Sequence, residues 1–215
     1  MEEHLEPLTE NAYEEYAVLC ECGLRIVRTQ IENASTIMEF SDQRNIYDSI
    51  DFRIKDFESV IEKCNRKGRD ITLESVKKYI RDVAGIRVVT LFESDIYRIR
   101  DAIVRQPGLE LVEEKDYVKK PKENGYSSLH LIVKVQVQYK GITRSVPVEV
   151  QIRTKGMDLW ASIEHFICYK NNGKHADEAP ELFAEMANHL RQFEKIAEKM
   201  AAIEGEPQNN ADSVN

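Results

Sequence analysis

Over residues 11–40, Tyr16, Leu19, Leu24, Val27, Ile31, Ala34 and Met38 recur at three-to-five spacing, which predicts a long amphipathic helix. A second helix is expected over about 54–67, stopped by Gly68, and a short one near 72–81. The run Gly85-Ile86-Arg87-Val88-Val89-Thr90-Leu91 is apolar and β-branched, the composition of an interior strand. Ser94 and Asp95 are placed to cap a helix that ends before Pro107-Gly108, and Leu109 to Val112 reads as a short strand. A polar, basic loop from Lys115 to Gly125 leads into two strands, about 127–139 and 142–153, joined around Lys140-Gly141. Helices over about 155–170 and 178–203 follow, and the polar tail from Gly205 reads as disordered. The pattern is that of an α/β protein with one sheet flanked by helices, and it contains no internal repeat.

The two strands around Lys140-Gly141 allow a register to be derived. Leu129, Leu131, Val133 and Val135 share one face of the first, and Val146, Val148, Val150 and Ile152 one face of the second. A turn centred on Lys140-Gly141 sets Leu129 against Ile152, Leu131 against Val150 and Val133 against Val148. A slip of one residue would bury the polar set instead, so the parity is well determined. The other face then gathers His130, Glu149 and Gln151, with His130 across from Gln151.

Composition narrows the class. The 215 residues carry a net charge of −8 with 32% charged residues, and mean hydropathy is −0.49. No apolar run approaches the ~18 residues of a membrane span. The acidic start, Met1-Glu2-Glu3-His4, lacks the layout of a signal peptide, so a cytoplasmic location is expected. Cys20, Cys22, Cys64 and Cys168 are too scattered for a disulfide framework, and Cys20 and Cys22 would point to different faces of one helix. The negative total argues against a general nucleic-acid binder. Yet Arg53, Lys55, Lys63, Arg66 and Lys67 form one basic group, and Lys115, Lys119, Lys120 and Lys122 another, which points to a small anionic ligand.

Several residues are candidates for chemistry. Lys55, Ser59, Lys63 and Arg66 fall within about 80° of helical arc. A solvated face is the default reading of such a stripe, but a triphosphate needs several cations at once. Arg53 and Arg87 could each stack a guanidinium on a purine, although ordinary salt bridges are the alternative that spacing alone favours. Asp82 and Glu149 are the candidate acids: carboxylates on separate elements can share Mg²⁺ and leave one to accept a hydroxyl proton. Tyr126, after Asn124-Gly125, offers a ring for a base or simply packs a turn. Trp160, Phe166 and Tyr169 are expected to be core or helix-contact residues, and the five histidines show no ligand spacing for a transition metal.

These pieces, in order, resemble the alarmone synthetases. Pro121-Lys122-Glu123-Asn124-Gly125-Tyr126-Ser127-Ser128-Leu129-His130 is similar to their guanine-side loop, and Val148-Glu149-Val150-Gln151-Ile152-Arg153-Thr154 to their catalytic strand. Arg53-Ile54-Lys55 and Asp82-Val83-Ala84-Gly85-Ile86-Arg87 resemble the ATP-side motifs, and Glu164-His165 with Tyr169-Lys170 the helix that follows. The resemblance runs from about 50 to 173. It implies a nucleotidyltransferase-like mixed β-sheet flanked by helices, with N- and C-terminal oligomerisation helices. It also implies GTP/GDP pyrophosphokinase activity with Mg²⁺: transfer of pyrophosphate from ATP to the 3′-hydroxyl of GDP or GTP in the bacterial stringent response. Arg53 and Arg87 would sandwich adenine, while Lys55, Ser59, Lys63 and Arg66 would hold the phosphates. Asp82 and Glu149 would be catalytic and bind the metal, with Glu149 as general base. Tyr126 would stack on guanine, and Lys122, His130 and Gln151 would contact the acceptor.

The same resemblance implies a division into an N-terminal helical extension (1–45), a catalytic domain (46–173), a C-terminal helix (174–204) and a tail (205–215). Only about 50 residues precede the matching stretch, and they contain no His-Asp pair, so a synthesis-only type without hydrolase activity is expected, as a homotetramer. Two features depart from the pattern: Ser127 follows the loop tyrosine where small members often carry Arg, and Glu113-Glu114-Lys115-Asp116 mixes two charge patterns, so GDP is not assigned over GTP. Two other readings stand beside this one. The same ATP half-site could serve another acceptor, an adenine nucleotide or a tRNA 3′ end, or the chain could be a catalytically silent RNA-binding tetramer. The charge does not indicate RNA binding.

Overall fold

The computed structural model describes residues 6–170 and 180–204. The chain builds two compact units, one of residues 6–121 and 127–155, the other of 122–126, 156–170 and 180–204. The element order is α1 (Glu10–Asp42), β1 (Tyr47–Ile54), α2 (Phe57–Arg66), α3 (Leu73–Tyr79), β2 (Ala84–Thr90), α4 (Glu93–Val104), β3 (Leu109–Asp116), β4 (Leu129–Tyr139), β5 (Ile142–Thr154), α5 (Lys155–Lys170) and α6 (Pro180–Glu204).

The first unit is built on a mixed five-stranded sheet of order β1-β2-β5-β4-β3, in which β2 and β5 are parallel and the other pairs antiparallel. The register derived from the sequence is the one found: Leu129 opposes Ile152, Leu131 opposes Val150, Val133 opposes Val148 and His130 opposes Gln151. The turn that sets it has Lys140 at φ 50° and Gly141 at φ 77°, positive at both central positions as a tight hairpin turn with the right twist requires. One sheet face is apolar and buried, with Ile86, Val88, Leu131, Val148, Val150 and Ile152 at its centre. Leu24, Val27 and Ile31 of α1 and Ile96, Ile99 and Ile103 of α4 are buried in the same core. Burying a side chain of this kind contributes ~1.5–3 kcal/mol, so this layer dominates the stability of the unit.

Local caps set the helix starts. Thr9, Asp56 and Thr72 accept backbone N–H groups of Ala12, Ser59 and Ser75 at the heads of α1, α2 and α3. Gly68, at φ +59°, follows α2 as expected.

Three expectations are corrected. Residues 47–54 form an edge strand, β1, that the periodicity did not reveal, so α2 starts at Phe57 rather than 54 and Arg53 belongs to a strand. Asp48, Ser49 and Asp51 are poor strand formers, and an edge strand is defined by its partner more than by its own composition. The third strand continues to Asp116, because its second half pairs with β4 past an irregularity between Leu111 and Glu113. Ser94 and Asp95 do not cap α4: the position before it is Phe92, without a side-chain cap, and the fully buried Asp95 accepts two hydrogen bonds from Arg44 at 2.8 Å.

In the second unit Trp160, Phe183 and Ala187 form a small core, and the indole Nε1 donates to the Phe183 carbonyl at 2.8 Å. Gly125, at φ +91°, lies so close to α6 that a Cβ would stand 2.7 Å from that of Ala187. Phe166, expected in the core or in a helix contact, is 57% exposed and so lies outside this core. The Tyr169 side chain, the start expected for the last helix at 178 and the tail from 205 lie outside the described residues.

Candidate active site

The face of the sheet opposite the core is polar, and strand register orders it. Asp51, Arg87, Gln151, His130 and Lys115 form one row across all five strands, and Arg53, Gly85, Glu149 and Ile132 stand in the next. Side chains in one row of a sheet face are neighbours, so residues distant in sequence become one surface.

Two clusters stand on this frame. In the first, the Lys55 N–H donates to the Val83 carbonyl at 2.8 Å, and the Tyr13 hydroxyl donates to the Lys55 carbonyl. The end of β1 is thereby held against the residues that lead into β2. Asp82 then receives Lys63 Nζ at 2.5 Å and Lys55 Nζ at 3.4 Å on a single oxygen, Oδ2. Burial would raise the Asp82 pKa, but the two ammonium groups outweigh it and hold the carboxyl below its usual range. The other oxygen, Oδ1, is buried without a hydrogen-bond partner. An uncapped carboxylate oxygen in such a place is costly unless something fills the position.

The second cluster is on β4 and β5. Glu149 accepts a hydrogen bond from Gln151 Nε2 at 2.9 Å and faces His130 Nδ1 at 3.4 Å. Burial raises its pKa, while His130 and Gln151 lower it further, so the net shift is downward despite repulsion from Asp82. Strand register sets Glu149 opposite Gly85, three residues after Asp82. The ring of Tyr117 stands edge-on to His130 at 5.5 Å.

The other expected residues are placed as follows. Arg87 is paired with Asp51 at 3.2 Å, an exposed and therefore weak contact, and the side chain of Arg53 passes over Gly85. Ser59 gives its hydroxyl to Asp56 as part of the α2 cap, and Arg66 is exposed on the last turn of that helix. Lys122 and Tyr126 belong to the second unit. There Lys122 Nζ lies 4.7 Å from the centre of the Tyr126 ring, whose edge meets Trp160 at 6.0 Å. The described residues contain no group of three or more His, Cys, Asp or Glu arranged for a metal.

The sequence reading gave no role to one buried residue beside this cluster. Arg153 is 8% exposed and donates to Gln151 Oε1 at 2.7 Å, which turns the amide so that its nitrogen faces Glu149. The signal was present: Arg153 continues the period-two series Glu149, Gln151 on the polar face.

Residues 52–174 match a region found in RelA/SpoT proteins. The chain is 42% identical over 158 residues to the GTP pyrophosphokinase YwaC of Bacillus subtilis, covering 72% of each chain. It is 29% identical over 201 residues to the GTP pyrophosphokinase YjbM of the same organism, covering 94% of this chain and 92% of that one. Among solved structures, small alarmone synthetase 1 from Bacillus subtilis bound to its product pppGpp superposes with a TM-score of 0.79 at 28% identity, over 91% of this chain and 98% of that one. Small alarmone synthetase 2 from the same organism gives 0.75 at 34% identity, over 89% and 98%. The chain therefore belongs to the RelA/SpoT family and is a small alarmone synthetase.

Proposed function

We propose that this chain transfers the β,γ-pyrophosphate of ATP to the 3′-hydroxyl of GDP or GTP, giving ppGpp or pppGpp and AMP. The observation that carries the proposal is the register of β2 and β5, which sets Glu149 opposite Gly85, three residues after an Asp82 already held between Lys55 and Lys63. Arg53 and Arg87 sandwich the adenine, and Lys55, Ser59, Lys63 and Arg66 hold the phosphates, the lysines exchanging Asp82 for phosphate oxygens as ATP arrives. Tyr126 stacks on guanine, with Lys122, His130 and Gln151 on the acceptor nucleotide. Glu149 takes the proton of the 3′-hydroxyl. The freed oxygen bonds to the β-phosphorus, and the bond from that phosphorus to the bridging oxygen of the α-phosphate breaks, so AMP leaves with the electron pair.

The residues fit Mg²⁺. Asp82 and Glu149 are hard oxygen ligands, and the unpartnered Asp82 Oδ1 is an open position of the right chemistry. Mg²⁺ keeps waters and substrate phosphates in its shell, so two carboxylates suffice where three protein ligands are absent. Bound there, it would offset the charge of the triphosphate and of the departing AMP.

The wider reading is a catalytic domain over 46–173, preceded by a helical extension (1–45) and followed by a helix (174–204), assembled as a cytoplasmic homotetramer. Phe193, Ile196, Met200 and Ile203 support the assembly: they lie along one stripe of α6 and are 59–73% exposed. The described residues include no helix long and apolar enough to cross a membrane. A panel of acceptors tests the activity. With Mg²⁺ and labelled ATP, product should form on GDP or GTP; product on an adenine nucleotide or a tRNA 3′ end alone, or none at all, would contradict the proposal.

A further inference from the structure

A separate cavity of about 840 Å³ lies in the first unit, among the start of α1, α3 and the far halves of β4 and β5. Ile132, the residue opposite Glu149, lines it, and none of the residues assigned above to ATP or the acceptor does. Its floor is apolar, from Leu19, Leu73, Val112, Ile132 and Pro147, with Tyr16 and Tyr139 beside them.

The charge around it is lopsided. Six cations line the cavity, Lys77, Lys78, Arg81, Lys134, Lys140 and Arg144, against the single carboxylate of Glu15. Two of the six are matched, Lys140 by Glu15 at 2.6 Å and Arg81 by Glu113 at 3.0 Å. Among the described residues, no carboxylate pairs with Lys77, Lys78, Lys134 or Arg144, although the chain as a whole has eight more acids than bases. Like charges gathered around a concavity with apolar walls repel one another when it is empty and focus a positive potential into it. The complement is a multiply charged anion, and the aromatic and aliphatic floor suits one with a planar apolar part. A concavity of this size is large enough for a small ligand.

We propose that this cleft is a second nucleotide site, taking a nucleoside triphosphate with its phosphates on Lys77, Lys134 and Arg144. The proposal rests on the active-site reading only in that a first site must be told apart from it. The test is equilibrium dialysis of the full chain with labelled GTP, without ATP so that nothing turns over. The wild type should bind two equivalents per chain. Lys134→Ala/Arg144→Ala should weaken one class about tenfold or more, each lost charge-assisted contact having an effect of that order. Its circular dichroism and its rate of synthesis at saturating substrates should stay at the wild-type level. Tyr126→Ala should weaken the other class and leave this one. Two equivalents that survive the double substitution, or a single equivalent indifferent to it, would overturn the proposal. A single equivalent lost in Lys134→Ala/Arg144→Ala but not in Tyr126→Ala would support the cleft and contradict the acceptor site instead.

Discussion

Lys63 Nζ stands 2.5 Å from Asp82 Oδ2, so a side chain proposed to hold ATP phosphates rests, without nucleotide, on one proposed to hold the metal. The pair is 20% and 12% exposed, sheltered enough for the contact to matter. It keeps the Asp82 carboxylate ionised and both side chains in place before substrate arrives. Lys63→Met should raise the KM for ATP about tenfold and that for the acceptor much less. Equal effects on both substrates, in initial rates over a grid of the two, would remove Lys63 from the ATP half of the site.

Glu149→Gln should lower kcat by ~10²–10⁴ while leaving the fold and ATP affinity close to those of the wild type. The amide is nearly isosteric and keeps an acceptor for Gln151 Nε2, so a loss of rate reports the carboxylate and not the packing. Near-normal turnover by a pure sample of the variant would exclude Glu149 as the base.

Tyr126→Ala should raise the KM for GDP or GTP well above any change for ATP, since stacking on a base contributes ~1–3 kcal/mol. The ring also packs on Trp160, so some loss of stability is expected, and Tyr126→Phe serves as the control that keeps the ring. An equal change in both KM values would leave Tyr126 a packing residue.

Arg153→Met should act through Gln151. Losing the 2.7 Å contact frees the amide to turn, and the hydrogen bond that helps to lower the Glu149 pKa weakens. The acid limb of kcat/KM should move to higher pH, whereas Arg153→Lys should move it less. A lowered rate with an unmoved pH profile would mean that Arg153 supports the strand alone.

Asp82 and Glu149 also tie stability to pH. Both titrate below their ordinary values in the folded chain, so the unfolded chain binds more protons in acid. Their contribution is fully present above the ordinary carboxylate range and is lost as pH falls through their lowered native values. Denaturant melts from pH 7 to pH 3 should show a smaller acid loss in Asp82→Asn than in the wild type. Identical slopes would remove Asp82 from the linkage.

The parts legible in the sequence were those with strong periodicity. The register of β4 and β5 follows from alternating apolar residues and one turn, and it alone brings His130, Glu149 and Gln151 together. What stayed hidden depended on tertiary partners. Residues 47–54 become a strand because β2 lies beside them, and Asp51 meets Arg87 only through that pairing. The Asp82 cluster needs the bond from Lys55 to Val83, which no local pattern announces. Asp95 looked like a cap because short-range rules are blind to Arg44, fifty-one residues away.

The most direct test of the account is the fate of the label when the enzyme, Mg²⁺ and GDP or GTP are given ATP labelled at its β-phosphorus. The account predicts that the label leaves the adenine nucleotide and appears on the 3′-oxygen of the guanine nucleotide, with one unlabelled AMP formed for each ppGpp or pppGpp. Label retained in ADP, or a guanine nucleotide left unmodified while ATP is consumed, would contradict it.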